Sequence, residues 1–231
     1  MLELKQDGEI MFVTLNQNDI YYEVSGSGRD LILVHGNGED HTIFNEGIEM
    51  LKDRFRCWAI DSRGHGKSSA VKEYHYADMA DDLAAFMDHY DLHDVLYYGF
   101  SDGGIIGLLA AMKTDRISTL VISGANLTPS GVKPLLHMTM QIVNFLRPSP
   151  LIRMMLEEPH ITKEELEQIQ IPVLVLAGEN DVIKQGETGQ ISSFLPNAKM
   201  HIIKGEGHGS YIVHSTKFVK YLIYANRYLK K

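Results

Sequence analysis

An α/β fold built on a mainly parallel sheet is predicted by three features of this 231-residue sequence. Short apolar runs rich in β-branched residues alternate with stretches whose apolar residues recur at helical spacing. Most of the runs are apolar throughout rather than at every second position, which suits strands covered on both faces. Several of them end in glycine-rich turns, where an open parallel sheet places its ligand-binding loops.

In chain order, Met11 to Leu15 and Ile20 to Val24 read as two strands joined through Asn16-Gln17-Asn18-Asp19, an antiparallel opening hairpin. Leu31 to Val34 is a buried strand ended by His35-Gly36-Asn37-Gly38. Phe55 to Ile60 is another, followed by Asp61-Ser62-Arg63-Gly64-His65-Gly66. Met79, Leu83, Phe86, Met87 and Tyr90 share one helical face, so Tyr76 to Tyr90 is predicted helical with an acidic outer side. Val95 to Phe100 is a strand, and the small, apolar Gly103 to Met112 a buried helix. Ile117 to Ile122, Val173 to Ala177 and the shorter Met200 to Ile203 complete the strands, and Tyr211 to Tyr228 closes the chain as a helix.

The alternation is interrupted between Asn126 and His160. This segment carries Pro129, Pro134, Pro148, Pro150 and Pro159, and its helical pieces, Leu135 to Leu146 and Leu151 to Leu156, are rich in Met and Leu. It reads as a small lid inserted at the strand ends, against the plainer alternative of a connecting helix with a long loop. The length fits one domain over residues 1–231.

A formal charge of -8 disfavours nucleic acid or an anionic membrane surface as a partner. Cys57, the only cysteine, lies in an apolar run and reads as a buried thiol. Met1 to Gly8 lacks the basic-then-apolar pattern of a signal peptide, and no run reaches the ~20 apolar residues of a membrane span. A cytoplasmic protein without membrane insertion is expected; the oligomeric state is not written in the sequence. Neither a His-Glu-x-x-His pattern nor a cysteine cluster suggests a metal, and no phosphate-binding glycine motif stands in its required context. No cofactor or metal is expected.

The chemistry gathers in the loops. Gly99-Phe100-Ser101-Asp102-Gly103 follows a strand and opens a helix, the context in which Gly-x-Ser-x-Gly marks a nucleophile. The sharp turn strains the serine backbone, and only small neighbours leave room for it. The competing reading makes Ser101 a helix N-cap. A tetrahedral oxyanion needs preorganised donors. The backbone N–H of Asp102 is one candidate and that of Asn37, in the turn after an earlier strand, the other. The Asp102 carboxylate is expected to point away from the forming charge. Among 11 histidines, His208 stands out, flanked by Gly207 and Gly209 after the last short strand. It is the candidate base that serine needs. His35 and His65 read as braces of their loops. Asp181, after the Val173 to Ala177 strand, is the candidate carboxylate for orienting the base. Its rivals are Asp61, which precedes the serine in the chain, and Glu179; the end of the Ile117 to Ile122 strand offers Asn126 instead of an acid.

The order Ser101, Asp181, His208, with His35-Gly36 upstream, resembles the α/β-hydrolase superfamily. Asp61-Ser62-Arg63-Gly64-His65-Gly66-Lys67-Ser68 resembles that family's segment after the fourth strand. Gly178-Glu179-Asn180-Asp181 and Gly207-His208 resemble its acid and histidine loops. The resemblance runs from about Asp19 to Lys220. It implies an eight-stranded, mostly parallel sheet with helices on both faces. It also implies attack by Ser101, an acyl-enzyme, and hydrolysis by a water that His208 activates. Family members with an aspartate nucleophile, haloalkane dehalogenases and epoxide hydrolases, are disfavoured by Ser101. The short lid departs from the larger-capped carbon–carbon hydrolases.

The expected activity is cleavage of a small to medium carboxylic ester or thioester, a small-molecule acyl substrate. The same triad serves other chemistry, namely carbon–carbon hydrolase or lyase, aminopeptidase and perhydrolase, and a non-catalytic ligand-binding role is a further alternative. Arg147 and Arg153 are candidates for clamping a substrate carboxylate, or else ordinary surface arginines.

Overall fold

The computed structural model describes residues 11–229, so the reading of Met1 to Gly8 lies outside them. Strands β1 (Met11–Leu15) and β2 (Asn18–Ser25) form the opening hairpin. Leu15 pairs with Asn18 across Asn16 and Gln17, whose φ angles are 48° and 67°. Positive φ at both central residues is the hairpin turn whose twist matches the strands it joins. β3 (Arg29–Val34) is followed by a short 3₁₀ turn, His41–Phe44, and α1 (Asn45–Leu51). Then come β4 (Phe55–Ile60), α2 (Tyr76–His89), β5 (Val95–Phe100), α3 (Asp102–Ala111) and β6 (Ile117–Ser123). A segment with α4 (Pro134–Leu146), α5 (Pro150–Glu157) and α6 (Lys163–Leu166) leads to β7 (Val173–Asn180). α7 (Gln185–Phe194), β8 (Ala198–Gly207) and α8 (Val219–Tyr228) complete the described chain.

The eight strands form one sheet in the order β1-β2-β4-β3-β5-β6-β7-β8. β1 and β2 pair antiparallel, as do β2 and β4; every later pairing is parallel. Both faces are covered. One core gathers Trp58 and Tyr97 from the sheet with Leu83 and Phe86 of α2 and Ile106 of α3. The other gathers Leu33 and Tyr98 with Leu51 of α1 and Leu222 of α8. Strands buried at nearly every position fill both cores at once, which is why β3, β5 and β6 lack the alternation of a half-exposed strand.

The structure departs from the expected elements in several places. The closing helix starts at Val219 instead of Tyr211. His214 takes a φ of 47° and its N–H donates to the Ile43 carbonyl, which breaks any helix through that point. Tyr211 and Ile212 are wholly buried from a turn, so apolar spacing alone mimicked a helical face. β8 runs well past Met200 to Ile203 in both directions; it is an edge strand, and its exposed Lys199 and Lys204 dilute the apolar pattern. α1, α6 and α7 carry too few apolar residues to stand out in the sequence; α7 buries only Thr188 and Ile191. No helix among the described residues is long and apolar enough to cross a membrane.

Candidate active site

The turn from β5 into α3 is built from close approaches that a side chain would block. A Cβ on Gly99 would lie 2.1 Å from the Gly103 carbonyl oxygen, and one on Gly103 would lie 2.1 Å from that of Val34. Between them Ser101 is forced to φ 52° and ψ -114°, a strained conformation for a side-chain-bearing residue. Its N–H is held by the Ser123 carbonyl at 2.8 Å, and its own carbonyl accepts from Gly104 at 2.9 Å. The hydroxyl is thereby raised above the strand ends, and it does not cap the helix, which removes the N-cap reading.

The loop after β8 brings His208 to this hydroxyl. Ser101 Oγ lies 3.1 Å from His208 Nε2, and His208 Nδ1 lies 2.6 Å from Asp181 Oδ1. The second contact requires Nδ1 to carry the proton, leaving Nε2 free to accept from the serine. The ring is 22% exposed and its carboxylate partner 2% exposed, so the line runs from a wet serine to a buried acid. Burial pushes the Asp181 carboxyl up, but the His208 contact and the N–H groups of Ile183 and Gly178 outweigh it and hold the carboxyl below its ordinary value. Phe100 packs against the imidazole with ring centroids 4.9 Å apart.

The two rival acids are engaged elsewhere. Glu179 accepts from the Gly205 N–H. Asp61 is fully buried and accepts from His41 Nδ1 at 2.8 Å and from the N–H groups of His41 and Lys67. His41 reaches Glu23 with its other nitrogen at 3.0 Å, and Asp40 caps the 3₁₀ turn through Thr42. Asp40, His41 and Asp61 lie close enough together to share an ion, yet each already has hydrogen-bond partners that brace this loop. His35 is a brace of the same kind, with Nδ1 donating to the Gly36 carbonyl and Nε2 accepting from Ser62. Burial, helped by His65, lowers its pKa to about 4. His65 donates to the Arg63 carbonyl, while its Nε2 is buried without a partner.

Both oxyanion candidates line the same cavity as Ser101. Asp102 is the first residue of α3, so its N–H has no carbonyl within the helix to take. The turn after β3 commits the Gly36 N–H to Glu39 Oε2 at 3.1 Å, and Asn37 follows it on the cavity wall. The Asp102 side chain is 4% exposed and drawn aside, as expected: Tyr76 Oη donates to Oδ1 at 2.9 Å and Asn37 Nδ2 to Oδ2 at 3.0 Å. Burial raises its pKa, and these two donors only partly offset that rise.

A cavity of about 160 Å³ opens on Ser101 and His208. Val132, Leu136, Met155 and Ile183 form its apolar wall, so the segment between β6 and β7 does contribute to the site. That volume matches a benzene-sized group. Asn126 reaches the cavity edge while its side chain donates to the Thr128 carbonyl. Neither Arg147 nor Arg153 lines the cavity, and Arg153 faces Glu73 at the exposed surface. The sequence reading missed Glu39, Tyr76 and Glu158, all on the cavity wall, and Gly124, whose absent side chain leaves room for the His208 ring. Only a positive φ following a strand, 64° at Gly124, would have signalled the last, and that is not visible in a sequence.

Comparison with known proteins places this geometry in a family. Residues 31–148 match the model of the alpha/beta hydrolase fold. A pimeloyl-[acyl-carrier protein] methyl ester esterase of Vibrio cholerae is 33% identical over 103 residues, 44% of this chain and 39% of that protein. A non-heme haloperoxidase of Rhodococcus erythropolis is 34% identical over 119 residues, 49% of this chain and 43% of that protein. The matched stretch thus spans about two-fifths of the length of these relatives. A thermophilic esterase from Thermogutta terrifontis superposes with a TM-score of 0.80 at 21% identity, covering 97% of this chain and 100% of that one. The match over residues 31–148 and the eight-stranded architecture make this chain a member of the α/β-hydrolase fold family.

Proposed function

We propose that the chain is a serine hydrolase that cleaves a small to medium carboxylic ester or thioester through an acyl-enzyme. The observation that carries this reading is the continuous line from Ser101 Oγ, on its strained turn, through His208 to buried Asp181. Ser101 is the nucleophile. As Oγ attacks the carbonyl carbon, His208 Nε2 takes its proton, and Asp181 stabilises the imidazolium while fixing the tautomer. The N–H groups of Asp102 and Asn37 receive the oxyanion. Collapse expels the alcohol or thiol, which takes the proton from His208. Water then enters, His208 removes its proton, and the acid leaves with Ser101 restored. The esterase among the relatives supports ester cleavage, and the benzene-sized cavity with its apolar wall favours a small acyl group.

The similarity to a haloperoxidase favours a second reading on the same residues, with hydrogen peroxide in place of water in the second step. Peracid formation from acetate and peroxide would separate the two.

The test is intact-mass spectrometry after fluorophosphonate treatment, with turnover of p-nitrophenyl esters of rising chain length. One adduct and turnover on the wild type, both absent from a folded Ser101→Ala variant, are expected. A folded wild type with neither, or substantial turnover in the variant, overturns the assignment.

A further inference from the structure

The oxyanion donors proposed above belong to loops that follow different strands, β3 and β5, and their separation decides whether both reach one oxygen. Those two residues are also joined to each other by their side chains: Asn37 Nδ2 donates to Asp102 Oδ2 at 3.0 Å. The other carboxylate oxygen accepts from Tyr76 Oη at 2.9 Å. Tyr76 is buried at the start of α2, and its own N–H is held by Glu158, at the end of α5, at 3.1 Å. Asp102 is thus a buried acid spent wholly on neighbouring donors, at a place where a bare negative charge would oppose the forming oxyanion.

We propose that Asp102 and Asn37 are positioning residues whose side-chain bond clamps the two oxyanion-hole loops at the separation the transition state needs, with Tyr76 anchoring the clamp to α2. The inference rests on the serine-hydrolase reading. The need for a clamp is physical. The loop after β3 carries glycines at 36 and 38, the latter at a φ of 74°, and is otherwise tied to α3 through the Gly103 N–H to His35 carbonyl bond of 3.0 Å. That bond fixes the root of the loop, and the peptide carrying the Asn37 N–H is oriented within the loop by its Gly36 carbonyl, which accepts from His35 Nδ1 at 2.7 Å and from the Glu39 N–H at 3.3 Å. The Asn37 side chain adds the attachment that reaches across to Asp102 and sets the distance between the two loops. An acid suits the task because one carboxylate accepts from both Asn37 and Tyr76 in fixed directions. A donor moved out of line is lost mainly in the transition state, where the oxygen carries charge, so the effect belongs in kcat rather than KM.

A double-mutant cycle tests it. Asn37→Ala keeps the backbone N–H and removes the clamp from one side; Asp102→Ala likewise keeps its backbone N–H and removes the acceptor from the other, which an asparagine would not, since its amide oxygen still accepts from Asn37. Rates are read on a p-nitrophenyl ester, with thermal melting to establish folding and fluorophosphonate labelling as a second rate. Each single variant is expected to lose kcat by about 10- to 100-fold with KM within about twofold, less than or comparable to losing one donor outright. The double variant should be no slower than the slower single, because both break one bond. Losses that multiply, losses confined to KM, or variants as fast as wild type overturn the clamp, the last meaning that the His35–Gly103 backbone bond suffices. If either variant fails to fold, Tyr76→Phe, which keeps the ring and removes one donor to Asp102, carries the same kcat prediction, and an unchanged kcat there overturns the clamp. A wild type that neither labels nor turns over overturns the serine-hydrolase reading and the clamp together; one that does both, with unaffected variants, overturns the clamp alone.

Discussion

A methyl group at position 124 would lie 2.6 Å from His208 Cε1, on a backbone already at a φ of 64°. Gly124→Ala should therefore cost about 1–3 kcal/mol of stability from backbone strain. It should also push the imidazole off the serine, lowering kcat by up to about 100-fold. Chemical denaturation and steady-state kinetics on one preparation check both. The acids separate in the same way. Asp181→Asn leaves the shape of the site but favours the wrong imidazole tautomer, with an expected loss of about 10⁴ in kcat. Asp61→Asn should act on stability instead, since its partners are His41 and Lys67; if it proves the more damaging to kcat, the acid is misassigned. Ser101, Asp181 and His208 are legible in the sequence because each stands in a glycine-flanked or strand-ending stretch. Gly124 and Tyr76 are not, because each matters through a side chain far away in the chain, His208 and Asp102; Glu39 acts locally on the Gly36 N–H and stands in no pattern that marks it.

The elements were legible where their burial was two-sided or strictly periodic. β3, β5 and α2 follow from composition and spacing with ends displaced by a residue or two. Where an element lies at an edge, as β8 does, or turns inward without regular structure, as Tyr211 and Ile212 do, the same residue types point elsewhere. The segment between β6 and β7 shows both behaviours. Met154 of α5 is 3% exposed, whereas Phe145 of α4 is 86% exposed. Met154→Ala should destabilise by about 2–5 kcal/mol, while Phe145→Ser should fall within about 0.5 kcal/mol of wild type. Urea unfolding of the two variants distinguishes a packed segment from one resting loosely on the sheet.

Across the whole molecule, the strand–helix alternation carried the fold, and the chain order of three residues carried the site; the bracing between them was invisible. That bracing sets the response to acid. His35 titrates at about 4 when folded against an ordinary 6.5, so below pH 6.5 the unfolded chain takes up a proton that the folded one refuses. Stability falls as pH drops across that window, by roughly 3 kcal/mol in total. His41 has the opposite sign. Burial lowers its pKa, but Asp61 and Glu23 outweigh that and raise it, so its contribution is full below 6.5 and fades as pH rises through its folded value. Urea titrations from pH 7 to 4 should show a flatter acid decline for His35→Gln and a steeper one for His41→Gln. The reverse pattern would mean that the braces carry their charge in the opposite sense.

The positive φ of Ser101 has a consequence for the history of such a chain. Glycine adopts that conformation freely, and the strain it releases, about 1–3 kcal/mol, exceeds the roughly 0.5–1 kcal/mol that its flexibility costs, so Ser101→Gly should melt above wild type. Stability alone offers no reason to keep serine there. A lineage that no longer needed the reaction would drift away from it at little cost, and its retention in a descendant is a record of continued use.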